Sequence, residues 1–77
     1  MSANLNEIML HIDETLDDDA MYRLEEDMRT DSGVVSVGHN ARQSHMIMVV
    51  YDSESTQASN LLRRVEHMGL HGQIIGL

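Results

Sequence analysis

Twice along this chain the spacing of apolar residues switches from two to a helical period and back to two. In the first pass Ile8, Leu10 and Ile12 alternate with Met9, His11 and Asp13, which predicts a strand over 5–13 with one face buried. Ala20, Leu24 and Met28, with Met21 beside them, then fall on one stripe of a helix over 17–30. Asp18, Asp19, Arg23, Glu25, Glu26 and Arg29 fill its other side. Val34 to His39 is rich in β-branched residues and reads as a second strand. In the second pass His45 to Tyr51 is apolar nearly throughout, the pattern of a central or doubly covered strand. Ala58, Leu61, Leu62, Val65 and Met68 mark an amphipathic helix over 55–68, and 73–77 reads as a last strand. The order β-α-β-β-α-β predicts an α+β, ferredoxin-like sandwich. Its four-stranded antiparallel sheet is expected in the order 4-1-3-2, with both helices on one face.

Turn chemistry punctuates this pattern. Met1 to Asn4 reads as a frayed start. Thr15 or Asp17 suits the cap of the first helix, where a side-chain oxygen accepts a free backbone N–H. Gly33 suits a left-handed position after that helix, and Gly69 stops the second. Gly38 to Ser44 holds the hairpin loop, and Asp52 to Thr56 offers several caps.

A chain of 77 residues with no internal linker is expected to form a single domain over 1–77. It has no room for a deep multi-layer cleft, and it carries no nucleophile beside a base and no glycine-rich phosphate loop. A binding module is therefore expected rather than an enzyme. The net charge is −8 and all five basic residues are arginine. Such a surface repels phosphate backbones and anionic bilayers, so neither nucleic acid nor membrane is an expected partner. There is no cysteine, which excludes disulfides and thiolate metal sites. With no basic flank on a leader-like apolar run, a cytoplasmic location is the expectation.

Several short motifs carry a resemblance. Gly33-Val34-Val35-Ser36-Val37 resembles the Gly-Val-x-Ser-Val strand of the heavy-metal-associated domains found in copper chaperones and metal-pumping P-type ATPases. Val49-Val50-Tyr51-Asp52 is similar to their Val-x-Tyr-Asp strand end, Glu66-His67-Met68-Gly69-Leu70 to their Glu-x-Leu-Gly-Tyr helix end, and Ile74-Ile75 to their final strand. The resemblance covers nearly the whole chain and implies the same fold and a role in metal handling. That family's metal motif, Gly-Met-x-Cys-x-x-Cys, aligns with Glu14, Thr15, Asp17 and Ala20, so both thiolates are missing. Soft Cu(I) needs thiolate or thioether ligands, and Cys-ligated copper is excluded.

Two places remain as candidates. Asp17, Asp18 and Asp19, helped by His71, offer oxygen and imidazole ligands for a divalent ion, carboxylates suiting Ca, Mg or Mn and added imidazole suiting Zn or Ni. Three acids at a helix start also suit the helix dipole with no ligand at all. The second is the sheet face opposite the helices, where alternation puts Met9 and His11 and the resemblance implies Met46, Met48 and Val50, together an expected apolar patch. Such a patch suits a homodimer or a protein partner, and methionine adapts to varied partners. A thioether–imidazole Cu(I) site is a sharper use of the same residues. Three functions follow: metal handling through a non-cysteine site, a metal-free interaction or dimerisation domain, and an ACT-like regulatory ligand-binding domain. The last lacks the glycine-containing turn after the first strand.

Overall fold

The computed structural model describes residues 4–40, 42, 43 and 45–76. Met1, Ser2 and Ala3 of the expected frayed start, Ala41 and Ser44 of the hairpin loop, and Leu77 of the last strand lie outside the described residues. Six elements follow in the expected order: β1 (Leu5–Ile12), α1 (Asp18–Arg29), β2 (Val34–Gly38), β3 (Met46–Asp52), α2 (Ala58–His67) and β4 (Gly72–Gly76). The sheet order is β2-β3-β1-β4, with every neighbouring pair antiparallel. This is the ferredoxin-like sandwich that the apolar pattern predicts.

The two central strands set the faces. Ile8, Leu10 and Ile12 of β1 and Ile47, Val49 and Tyr51 of β3 are buried in one cluster with Met21, Leu24 and Met28 of α1 and Leu61 and Val65 of α2. The residues between them, Met9 and His11 on β1 and Met46, Met48 and Val50 on β3, are half-buried or exposed on the other face. Alternation places side chains on opposite faces of a pleated strand, so the register fixes both sets at once.

The helix ends follow local hydrogen bonding. Asp17 caps α1, its carboxylate accepting the Ala20 N–H at 2.8 Å, with Asp18 and Asp19 in the first turn. α2 starts later than expected. Asp52 folds the preceding turn instead, accepting the Glu54 N–H at 2.9 Å, and no side chain caps the helix at Gln57. α2 ends at His67, so Met68 leaves the apolar stripe and is exposed, and Gly69 takes the left-handed conformation at φ +80°.

Gly33 serves a different purpose from a left-handed cap. Its φ is not positive, and a Cβ there would lie 2.7 Å from Thr56 Cγ2 and 3.0 Å from Ser55 Cβ. Glycine is required because the α1–β2 turn presses against the β3–α2 turn. Asp31 ties the same region together, accepting the Gly33 N–H at 2.8 Å and the hydroxyl of buried Thr56 at 2.9 Å. Arg64 on α2 adds an ion pair to Asp31 at 3.7 Å and to Asp27 at 3.5 Å. Glu25 corrects the assignment of α1's polar face. It is buried, because His39 reaches over from the end of β2 and places Nδ1 2.5 Å from its carboxylate.

Candidate functional site

The turn after β1 carries the first set of candidate ligands. Asp17 spends a carboxylate oxygen on its cap, while Asp18 and Asp19 are exposed. His71, in the loop between α2 and β4, faces Glu14 instead of the three aspartates. Its backbone N–H donates to Glu14 Oε1 at 2.8 Å, and its Nδ1 lies 2.6 Å from Oε2. The Asp13 N–H donates to the His71 carbonyl at 2.7 Å, completing a clasp between β1 and the last loop. Among the described residues no group of three or more His, Asp or Glu converges as an ion-binding cluster.

The clasp has an electrostatic signature. The His71 side-chain hydrogen bond, then the His71 N–H, holds the Glu14 carboxyl below its ordinary value of 4.5. The same bond, with the Glu14 charge, raises the His71 imidazole above 6.5. The raised histidine contributes stability that is lost as pH rises through its folded value. The lowered carboxyl contributes stability that is lost as pH falls through its own. The clasp is therefore strongest between about pH 4.5 and pH 6.5, the two ordinary values. An NMR titration should give His71 a midpoint above that of an ordinary histidine, and Glu14→Gln should bring it down. Equal midpoints in both proteins would contradict the clasp.

A second group lies where β1 ends against β3. His11 and His45 place their ring centroids 5.7 Å apart with planes inclined by 16°. His45 Nδ1 lies 2.9 Å from the Ile12 carbonyl, a bond in which the ring donates. In the neutral ring this leaves Nε2 unprotonated, 3.4 Å from Thr15 Oγ1. His11 Nδ1 lies 3.5 Å from Asp13 Oδ1. The Nδ1 atom of each histidine thus faces an oxygen, and the Nε2 of His45 also lies within reach of the Thr15 hydroxyl. His11 is among the residues that the sequence singles out, but His45 is not. Alternation would send His45 to the face opposite Met46. It stands one residue before β3, where the strand's alternation does not bind it.

The open face holds the remaining candidates. Met9, Met46, Met48 and Val50 border an open concavity of about 640 Å³ whose far wall is the end of β2 and the hairpin loop. Met48 is 40% exposed. No helix among the described residues is long and apolar enough to cross a membrane.

No protein-family model and no curated protein matches this chain. Solved structures do. A copper-binding domain from HMA7, a P-type ATPase, superposes with a TM-score of 0.83 at 16% identity, over 91% of this chain and 93% of that one. Oxidised MerP from Ralstonia metallidurans CH34 gives 0.81 at 13% identity, over 91% and 96%. The N-terminal domain of a potential copper-translocating P-type ATPase from Bacillus subtilis, in its Cu(I)-loaded state, gives 0.82 at 19% identity, over 94% and 89%. At these identities the likeness is one of fold: the chain has the architecture of the heavy-metal-associated domains.

Proposed function

We propose that this chain is a small metal-handling module that holds a divalent transition ion through the Nε2 atoms of His11 and His45, without thiolates. The observation that carries this reading is the imidazole pair itself, with His45 Nδ1 held by the Ile12 carbonyl and its Nε2 lone pair met by a long 3.4 Å contact to the Thr15 hydroxyl that an ion would displace. Two imidazoles on one ion at about 2.0–2.1 Å place their ring centroids roughly 5–6 Å apart, which matches the observed spacing, and the nearly parallel rings must turn for both Nε2 atoms to reach one ion. Imidazole suits Zn, Cu(II) and Ni rather than Ca or Mg. The pair closes only part of a coordination sphere and leaves positions open for exchange, which suits a carrier better than a structural site. The architecture shared with copper-binding domains supports the same reading.

Calorimetry on chelator-treated protein tests it with Zn(II) and Cu(II). One ion per chain is expected, with nitrogen hyperfine structure in the Cu(II) resonance spectrum. His11→Ala and His45→Ala should each weaken uptake at least about tenfold, or ~1.4 kcal/mol. Asp17→Ala should leave uptake unchanged, and no tight Cu(I) binding should depend on the 17–20 turn. Binding that survives both histidine variants but is lost in Asp18→Asn or Asp19→Asn would move the site to the acidic turn. No uptake at all would end the metal reading.

A further inference from the structure

Charge is unevenly divided between the two faces of the sheet. No lysine or arginine lies on any of the four strands, whereas Glu7 stands on β1 and Asp52 on β3. Arg23 and Arg29 lie on α1, and Arg63 and Arg64 on α2, all on the helix side. The concavity of about 640 Å³ opens on the other side, where Met9, Met46, Met48 and Val50 line it. Glu7 lines it too, exposed and in no ion pair among the described residues. Neither His11 nor His45 lines it, and the chain's charge of −8 counts every histidine as neutral. An adaptable apolar floor with unpaired negative charge at its lip is complementary to a segment that is apolar on one side and basic on the other. A second copy offers no such match, since its own face brings a second Glu7 and no lysine or arginine.

We propose that this concavity seats a basic amphipathic helix of a partner protein. Backbone hydrogen bonding selects a helix over an extended segment. A partner on the face of a sheet meets side chains only, because the ladder already uses the strands' N–H and C=O groups. An extended segment there would bury its own backbone groups unsatisfied, whereas a helix satisfies them internally. Strand addition at an edge is opposed as well, because both outer strands are irregular. The pairing shifts between Val34 and Ser36 on β2 and between Ile74 and Gly76 on β4. The dimensions fit one helix. β2, β3 and β1 together span about 10 Å, close to the diameter of a helix with its side chains. Met46, Met48 and Val50 extend about 13 Å along β3, room for anchors at i, i+4 and i+7, which cover about 10 Å of helix. Basic residues beside those anchors then meet Glu7 and, in the next row, Asp52.

Calorimetry with a synthetic peptide of about 18 residues, long enough to hold a helix, tests the arrangement. Chelator is present throughout, so the outcome is independent of the ion site. The peptide carries leucine at i, i+3, i+4 and i+7 spacing and lysine elsewhere. One peptide per chain is expected, with a Kd of about 10 μM or below, and the methyl signals of Met9, Met46 and Met48 should shift in the NMR spectrum. Met48→Asp and Glu7→Lys should each weaken binding at least about tenfold. Met48 is 40% exposed and Glu7 is exposed, so neither variant threatens the fold. A peptide with glutamate for lysine, and one scrambled to spread leucine around the helix, should each bind at least about tenfold more weakly. No binding of the leucine–lysine peptide up to about 1 mM would overturn the proposal. So would a scrambled peptide that binds equally well, the mark of bulk attraction to an acidic chain, or a Met48→Asp variant that binds like wild type. A wild type whose sedimentation shows a dimer that Met48→Asp dissolves would overturn it too, giving the face to a second copy.

Discussion

Leu61→Ala is expected to cost about 2–5 kcal/mol, the range for deleting a fully buried leucine whose cavity cannot collapse. Leu61 is completely buried at the centre of α2's apolar face, one turn from equally buried Val65. Across from them stand the buried rows of β1 and β3. A native domain of this size has roughly 4–12 kcal/mol in total, at about 0.05–0.15 kcal/mol per residue. The substitution therefore removes a large share of what holds the fold. Chemical denaturation should show a lower midpoint with little change in slope. A midpoint within error of wild type would mean that the α2 face is misassigned.

Gly33→Ala is expected to cost about 1–3 kcal/mol by overpacking. The added methyl would sit 2.7 Å from Thr56 Cγ2 and 2.9 Å from Thr56 Cβ, closer than carbon atoms approach. Thr56 cannot swing away freely, because its hydroxyl is bonded to Asp31 and its side chain is buried. Backbone conformation contributes nothing to this cost, since φ at Gly33 is not positive. Thr56→Ser deletes the nearest atom while keeping the hydroxyl. Gly33→Ala should therefore be partly rescued in the Thr56→Ser background, with Thr56 Cβ and Ser55 Cβ accounting for the remainder. Equal losses in both backgrounds would assign the cost to something other than this contact.

The two glycines show what the sequence could and could not reveal. Gly69 is a glycine because of its own φ, a local property, and its place after an apolar stripe was enough to assign it. Gly33 is a glycine because a turn more than twenty positions away leans on it, and no local pattern records that contact. The strands divide in the same way. Period two in β1 separates Ile8, Leu10 and Ile12 from Met9 and His11, whereas β3 is apolar nearly throughout and its facing comes from the family resemblance. Glu25 was misread because its stripe is polar by composition; its burial comes from His39 folding over it. At the candidate site His11 was visible from alternation alone. His45 needed the strand's exact start, and the pairing of His71 with Glu14 needed two distant loops to meet. Elements set by spacing were legible, and partnerships set by tertiary approach were not.

The sheet order also governs how the chain assembles. Only β2 and β3 are consecutive neighbours, so only they can pair as a local hairpin. β1 sits inside the sheet, yet both of its partners, β3 and β4, come much later in the chain. Closing those long loops costs entropy before any contact is gained, which slows folding relative to a helical bundle of equal size. The first element made is among the last to be secured on both edges. Until β4 joins, β1 keeps one unsatisfied edge beside the apolar row Ile8, Leu10 and Ile12, an edge open to mispairing while the chain is incomplete.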